Sequence, residues 1–351
     1  MSTYNLLNGY TGSKAPFVSK IKAFFDPMCV KYVEPYCGGA AIYFSNYNGR
    51  YEKELINDAN INIMALYEVL ANNNTRNSAL QALLKIDKPN DIQIAQKQFE
   101  QAKQKLRKFD SWKHYHHFAE KDKIDMAVNT YITYTQSFNC GGNNYSAYKS
   151  NDKYRFEARR NILNAVERLR TEPDILCTDG LKIIRLMKEK PEVQMFIDWP
   201  YVGMYRSSVK LYHKEMPSLD SHIKGARALI NSRAAVVMCG YRSGEEIIPT
   251  IYDAILTGSE WHCFKIADTK KYCMFVKKGE KRKDAEEYIW TNRVPENAGL
   301  YISLHDYKEN INMKEYWDRI RNAEKMNILT RYEILEYAKA YREFEGGNLF
   351  Y

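Results

Sequence analysis

The sequence predicts an α/β protein: a parallel sheet with helices on both faces, carrying a helical insertion. Three observations predict it. Short apolar runs alternate with helix-like patterns, as expected of strands joined by crossover helices. Four of those runs lead to a carboxylate, at Glu34, Asp58, Asp179 and Asp198. From residue 71 to about 172 the alternation stops and the chain becomes polar, rich in Lys, Gln, Asn and Tyr.

The first run, "VKYVEPY" (30–36), passes through Glu34 into the glycine pair Gly38 and Gly39 and then small residues. Glycines at a strand end let a ligand approach the backbone, although many turns need them only for their backbone angles. The second run, "KELINDAN", leads to Asp58. A carboxylate at the end of the next strand is well placed to hold ribose hydroxyls. The glycine turn lacks GxGxxG spacing, which argues against a nicotinamide dinucleotide.

A helix-like pattern runs from Ile61 to Leu70. Inside the polar stretch, "DIQIAQKQFEQAKQKLRKF" reads as a solvent-exposed helix, because strong helix formers dominate it. A Gly-Gly-Asn-Asn loop follows. Around it aromatic and basic residues interleave: Phe138, Tyr145, Tyr148, Lys149, Lys153, Tyr154, Arg155, Arg159 and Arg160. A basic cluster alone is more simply a solvated face. With the loop and its rings, the stretch reads as a mostly helical inserted subdomain, residues 71–172, carrying a basic, aromatic loop.

The third run, "DILCTDG", leads to Asp179 and a helix from Leu181 to Lys188. The fourth, "VQMFIDWPY", leads to Asp198, and the fifth, "AAVVMCGY", ends near Tyr241. "WHCFKIAD", "YCMFVKK" and "EEYIWTN" read as further strands, and a charged helical extension occupies 303–351. In such sheets ligands bind outside the carboxyl ends of the strands, so four acidic ends at one rim mark a site.

"DWPY" then asks for a chemical reading. The exocyclic amine of a base is a poor nucleophile, because its lone pair is delocalised into the ring. Asp198 can accept one of its N–H groups and the backbone carbonyl of Trp199 the other. Together they draw the nitrogen toward tetrahedral geometry and favour attack on an electrophilic methyl group. Pro200 stiffens the turn. Tyr201 offers a face on which the target ring can stack. A plain strand-end turn with surface aromatics is the competing reading.

Composition narrows the classes. The chain has 351 residues and a net charge of +9, which permits a polyanionic partner without requiring one. Seven cysteines without CxxC pairing fit free thiols in a reducing cytosol. No apolar stretch approaches the roughly 20 residues of a membrane span, and no secretory signal is read at the start. Neither a membrane nor a metal partner is expected: "HYHH" (114–117) is read as solvent-facing.

The motifs, in order, resemble the Dam-type (D12 class) adenine-specific DNA methyltransferases. They are "GYTGSK" (9–14), "EPYCGGA" (34–40), "NDAN" (57–60), "QSFNCGGNNYSAY" (136–148), "CTDG" (177–180), "DWPY" (198–201) and "EEYIWTN" (286–292). The resemblance covers about residues 5 to 292. It implies a Rossmann-like S-adenosylmethionine-dependent methyltransferase sheet (1–70 and 173–302) with an inserted target-recognition subdomain. It implies that Tyr10, Lys14, Glu34, Pro35, Tyr36, Gly38, Gly39, Asp58 and Asp179 line the S-adenosyl-L-methionine pocket. Asp58 would hold the ribose, and Asp179 would face the cofactor's adenine. Asp198, Trp199, Pro200 and Tyr201 would hold an adenine flipped from double-stranded DNA. Asn139, Asn143, Asn144, Tyr145, Lys149, Lys153, Arg155, Arg159 and Arg160 would contact the DNA.

The sequence departs from the family pattern twice. Ala40 stands where the motif has its second glycine, which is expected to narrow the approach to the cofactor's methionine part. Trp199 replaces the first proline of the tetrapeptide; its carbonyl survives, and a less rigid loop is expected. Methylation of cytosine N4 or of RNA adenine, and a catalytically weak DNA-binding relic, remain as alternatives.

Overall fold

The computed structural model describes residues 6–7, 9–10, 12–46, 49–107, 111–146, 151–201, 219–243, 251–256, 260–268 and 285–300. Lys149, the run "YCMFVKK" and the extension from 303 lie outside them. The chain divides into two compact units. The first is built on Val30–Ile183 with the segment ending at Val18; the second takes Ser19–Cys29 and most of the chain from Ile184 onward.

In the first unit, β1 (Lys31–Glu34), β2 (Lys53–Asn57) and β3 (Asp174–Leu176) are parallel, in the order β3-β2-β1. Glu34 lies opposite Ile56, and Asn57 opposite Leu176. Val33, Leu55 and Ile56 are buried, consistent with the near-continuous apolar runs of parallel strands covered on both faces. Parallel pairing brings the three carboxyl ends to one edge, so Glu34, Asp58 and Asp179 leave the strands on the same side. Helix Ile61–Ala71 follows β2, started by Asn60, whose side chain accepts the N–H of Asn62 at 3.2 Å.

The insertion is helical as expected, with helices Arg76–Leu84, Ile92–Leu106, Trp112–Tyr115, Glu120–Thr135 and Asn151–Leu169. Helix Ile92–Leu106 differs from its sequence reading. It is amphipathic, burying Ala95, Phe99, Ala102 and Leu106 along one stripe. Asp91 caps it through the N–H groups of Gln93 and Ile94. The last helix is fastened to β2 by Arg168, which pairs with buried Glu54 and lies 4.0 Å over the Tyr43 ring. A buried charge whose partner is removed costs about 3–5 kcal/mol, so this pair resists separation of helix and strand.

The second unit holds β4 (Val193–Ile197), β5 (Ala235–Ser243), β6 (His262–Asp268) and β7 (Ala285–Thr291), in the order β4-β5-β7-β6. β4 is buried throughout and pairs in parallel with β5. β7 runs antiparallel to both β5 and β6. The sheet is therefore mixed where the sequence reading expected it parallel. Consecutive antiparallel strands need no crossover helix, and α/β sheets commonly carry such strands at an edge. These seven described strands with their helices form the Rossmann-like α/β architecture that the motifs implied. No described helix is long and apolar enough to cross a membrane.

Candidate active site

The glycine turn after β1 is built around Asp58. The N–H of Gly38 donates to Asp58 Oδ2 at 2.9 Å, and that of Asn60 donates to Oδ1 at 2.8 Å. Burial raises the Asp58 pKa above the ordinary carboxylate value, against the lowering effect of these N–H groups. Gly38 has φ +45, and a Cβ added there would meet the Tyr10 ring at 2.8 Å. Only glycine lets that ring lie so close to this left-handed backbone. The Tyr10 ring stacks in turn on Tyr134 at 6.0 Å.

Tyr36 connects the second and third strand ends. Its pKa is raised by burial first, then by the charges of Asp179 and Asp58. Its ring packs against Gly180, where a Cβ would come within 2.3 Å of it. Asp179 is exposed and starts helix Gly180–Met187, accepting the N–H of Leu181 at 3.0 Å. Tyr10, Gly38, Asp58, Tyr36 and Asp179 therefore form one connected group.

The other expected cofactor residues stand differently. Glu34 is buried, and its Oε2 accepts from the Tyr32 hydroxyl at 2.7 Å and the Tyr43 N–H at 3.2 Å. Those bonds tie β1 to helix Ala41–Ser45. Lys14 is buried and donates to Gly12 O at 3.0 Å. The carbonyl of Pro35 accepts from the Asn57 amide, and Gly39 is buried. Ala40 adopts φ 52, ψ 37, a region that disfavours any Cβ. The residue is 1% exposed. Its methyl thus faces protein; what the missing glycine costs is backbone strain.

Asn57 is a residue that sequence reasoning missed. Fully buried, it donates through Nδ2 to Pro35 O at 2.8 Å and Thr178 O at 3.1 Å. Its Oδ1 accepts the Thr178 N–H at 3.0 Å, and its carbonyl accepts the Cys37 N–H at 2.8 Å. One side chain thus ties the loops after β1 and β3 together. The only local signal was a polar residue at the end of an apolar strand.

In the insertion, the loop after Gln136 closes as a small hairpin. Ser137 bridges Tyr145, and the Phe138 N–H donates to Asn144 O at 2.8 Å. Lys103 holds the tip through Asn143 O at 2.6 Å, and Phe99 packs on Tyr145 at 5.8 Å. Phe138, Asn143 and Asn144 are exposed. Arg159 and Arg160 are exposed on helix Asn151–Leu169, whose first turns carry Lys153 and Arg155. Asn139 lies in a one-turn helix, Phe138–Cys140.

In the second unit, "DWPY" follows β4 directly. Asp198 and Pro200 are half-buried. Trp199 is 1% exposed, so the plain reading of a turn with surface aromatics fails. Its indole stacks on Tyr252 at 5.6 Å and meets the His222 ring edge-on at 5.7 Å. His222 Nδ1 and the Tyr252 hydroxyl are 2.7 Å apart, a hydrogen bond. Tyr201 is 4% exposed, and its hydroxyl donates to the buried carboxylate of Glu287 on β7. Glu287 is a second residue that the sequence reading did not single out.

The fold is that of an α/β methyltransferase. The sequence profile of the D12 class N6 adenine-specific DNA methyltransferases matches residues 10–240, more than half of the chain, and the chain belongs to that family. It methylates adenine in DNA, taking the methyl group from a donor; this decides against the cytosine and RNA alternatives. The match spans the glycine turn, the insertion, "DWPY" and most of β5. No curated protein matches the chain.

Proposed function

We propose that the methyl donor is S-adenosyl-L-methionine, held at the ends of β1–β3, and that the acceptor is an adenine flipped from double-stranded DNA. The observation that carries the donor is the connected group of Gly38, Asp58, Tyr36 and Asp179. Its chemistry suits a nucleoside: two carboxylates accept from hydroxyls and an amine, and a ring between them offers a flat face. Bound there, the donor supplies a methyl group on a sulfonium. Asp58 accepts from the ribose hydroxyls and Asp179 from the adenine amine, with Tyr10 and Tyr36 shielding the nucleoside from water.

On the acceptor side, Asp198 and the Trp199 carbonyl each take one N–H of the target amine. The nitrogen lone pair is then free to attack the methyl carbon. A bound donor would supply the methyl group from its sulfonium sulfur to that nitrogen, the sulfur keeping the bond's electron pair, and Asp198 would take the nitrogen proton. The inserted subdomain (71–172) contacts the DNA through its hairpin and the basic helix Asn151–Leu169, Arg159 and Arg160 included. Exposure of Phe138, Asn143 and Asn144 at that hairpin supports this reading.

Calorimetry with S-adenosylmethionine tests the donor. Binding is expected in the wild type, and a loss of at least about tenfold in Asp58→Ala, the scale of one charge-assisted hydrogen bond. Absence of binding heat in the wild type, with or without DNA, would overturn the assignment.

A further inference from the structure

The family holds the second position of its tetrapeptide with a proline, whose ring fixes φ near −65°. This chain has Trp199 there, and the loop that presents Asp198 and the Trp199 carbonyl must be fixed by other means. Two features of the second unit supply them. The indole of Trp199 is driven into the core, with Tyr252 on its face and His222 at its edge. Tyr252 is itself oriented, by the 2.7 Å bond to His222 Nδ1 and by edge contact with Trp290 at 5.3 Å. Two residues further on, Tyr201 is tied through its hydroxyl to Glu287.

The two attachments differ in chemistry. The first is steric. Trp199, Tyr252 and His222 are 1%, 2% and 1% exposed, and a close-packed interior does not allow the indole to tilt without displacing its neighbours. Since the carbonyl of Trp199 belongs to the same residue as the indole, fixing the ring fixes the carbonyl. The second is polar. A neutral phenol donating to a buried carboxylate makes a charge-assisted hydrogen bond, stronger and more directional than a neutral one. Glu287 sits on β7 between Tyr241 of β5 and Ala267 of β6, so its backbone has strand partners on both sides.

We propose that Tyr252 and Glu287 are positioning residues for methyl transfer: they fix the "DWPY" loop from the core through Trp199 and Tyr201, in place of the missing proline. Neither is asked to touch the adenine or the donor. The proposal rests on the reading of Asp198 and the Trp199 carbonyl as acceptors for the target amine.

The test is single-turnover methyl transfer to adenine-containing duplex DNA, with dissociation constants for S-adenosylmethionine and DNA measured on the same variants. Tyr252→Phe removes the hydroxyl that bonds His222 and keeps the ring against Trp199. Tyr201→Phe and Glu287→Leu remove the other bond from either side. Each is expected to slow transfer about tenfold, the scale of one buried hydrogen bond, with both dissociation constants within about twofold of wild type. The double variant Tyr201→Phe/Glu287→Leu should be no slower than the slower single variant, as for two partners in one interaction. Glu287→Gln keeps an acceptor and should recover part of the rate. Phe264→Leu, a core change against Phe24 in the same unit, should lower stability and leave the transfer rate unchanged. Asp198→Ala sets the reference. If it fails to abolish transfer, the clamp reading falls. If it abolishes transfer while Tyr252→Phe, Tyr201→Phe and Glu287→Leu run at wild-type rate, or if the two halves of the Tyr201–Glu287 pair act additively, the positioning role is refuted. Equal slowing by Phe264→Leu would refute it as well.

Discussion

Replacing Ala40 by glycine should leave the stability of this protein nearly unchanged, although it removes a buried methyl group. Ala40 precedes helix Ala41–Ser45 with φ 52 and ψ 37, inside the left-handed region. There an L-residue costs about 1–2 kcal/mol through the clash of Cβ with the following carbonyl oxygen. The conformation is not free to relax. The Ala40 N–H donates to Cys37 O at 2.6 Å and its carbonyl accepts from Phe44 at 2.9 Å. Against the relief, glycine loses more backbone entropy on folding, about 0.5–1 kcal/mol. The difference, about 0.5–1 kcal/mol, is offset by the loss of one buried methyl group, about 0.8 kcal/mol, which leaves the net change within about 0.5 kcal/mol of zero. For large domains 1 kcal/mol moves the melting midpoint by roughly 2–4 °C, so Ala40→Gly should melt within about 2 °C of wild type. Ala40→Val should melt lower than wild type, because a β-branched residue is worse at this φ and overfills a buried position. Thermal unfolding followed by circular dichroism, with urea midpoints as a check, reads both. Since the methyl group faces protein, affinity for S-adenosylmethionine should change less than about twofold on Ala40→Gly. A melting midpoint lowered by more than about 3 °C in Ala40→Gly, or a neutral Ala40→Val, would show that backbone strain at residue 40 is absent.

Asn57→Ala should leave Pro35 O and Thr178 O without their donor and loosen the loops after β1 and β3. A loss of about 2–4 kcal/mol in stability is expected by urea denaturation, from two or three buried hydrogen bonds, and donor affinity should fall with it. Neutralising Lys149, Lys153, Arg155, Arg159 and Arg160 together should flatten the salt dependence of DNA binding, by about 0.9 in the log–log slope for each phosphate that is no longer neutralised. A slope unchanged in that variant would move the DNA surface elsewhere. The raised Asp58 pKa has a definite sign. Its protonated form favours the unliganded fold, so its stabilising contribution is full below the ordinary carboxylate value and disappears as pH rises through the higher folded value. Donor affinity should run the opposite way, weakening as the pH falls through that same folded value; stability and binding titrations of wild type against Asp58→Ala check both directions.

How much of this was legible in the sequence depends on the range of the interaction. β1, β2, β4 and β5 were read from apolar runs because burial on both faces writes a continuous local signal; β3, also read as a run, is an edge strand with Asp174 and Leu176 exposed. The stripe of Ala95, Phe99, Ala102 and Leu106 was also present, but two alanines carry little hydropathy, so helix Ile92–Leu106 read as exposed. The antiparallel direction of β7 has no local signature at all; it is a property of which strand lies beside it. The same holds inside the site. Gly38 and Asp58 were singled out because a glycine turn and a strand-end carboxylate are local patterns with known uses. Asn57 and Glu287 were not, because their roles lie in partners 121 and 86 residues away along the chain. Glu34 was singled out as a motif residue, and its bonds to Tyr32 and Tyr43, which tie β1 to helix Ala41–Ser45, had no local signal.

Trp199 is where local and long-range reasoning give opposite answers, and magnitudes decide between them. Local reasoning says that restoring the family's proline should stiffen the loop and keep or raise activity. A compatible proline gains about 0.4–1 kcal/mol by restricting the unfolded chain. The structure adds what that estimate leaves out. The indole is 1% exposed, between Tyr252 and His222. Removing a buried tryptophan side chain costs about 3–5 kcal/mol, since the surrounding rings collapse only partly into the space. The loss exceeds the gain several times over. Trp199→Pro should therefore be about 2–4 kcal/mol less stable than wild type and slower in methyl transfer, even though the backbone carbonyl required for the chemistry is retained. Trp199→Phe, which keeps a ring against Tyr252, should lie between the two in both measurements. Urea denaturation and single-turnover transfer on the three proteins read the order. A Trp199→Pro variant as stable as wild type and at least as fast would mean that the loop needs only a stiff backbone, and that the aromatic stack beneath it is ordinary packing.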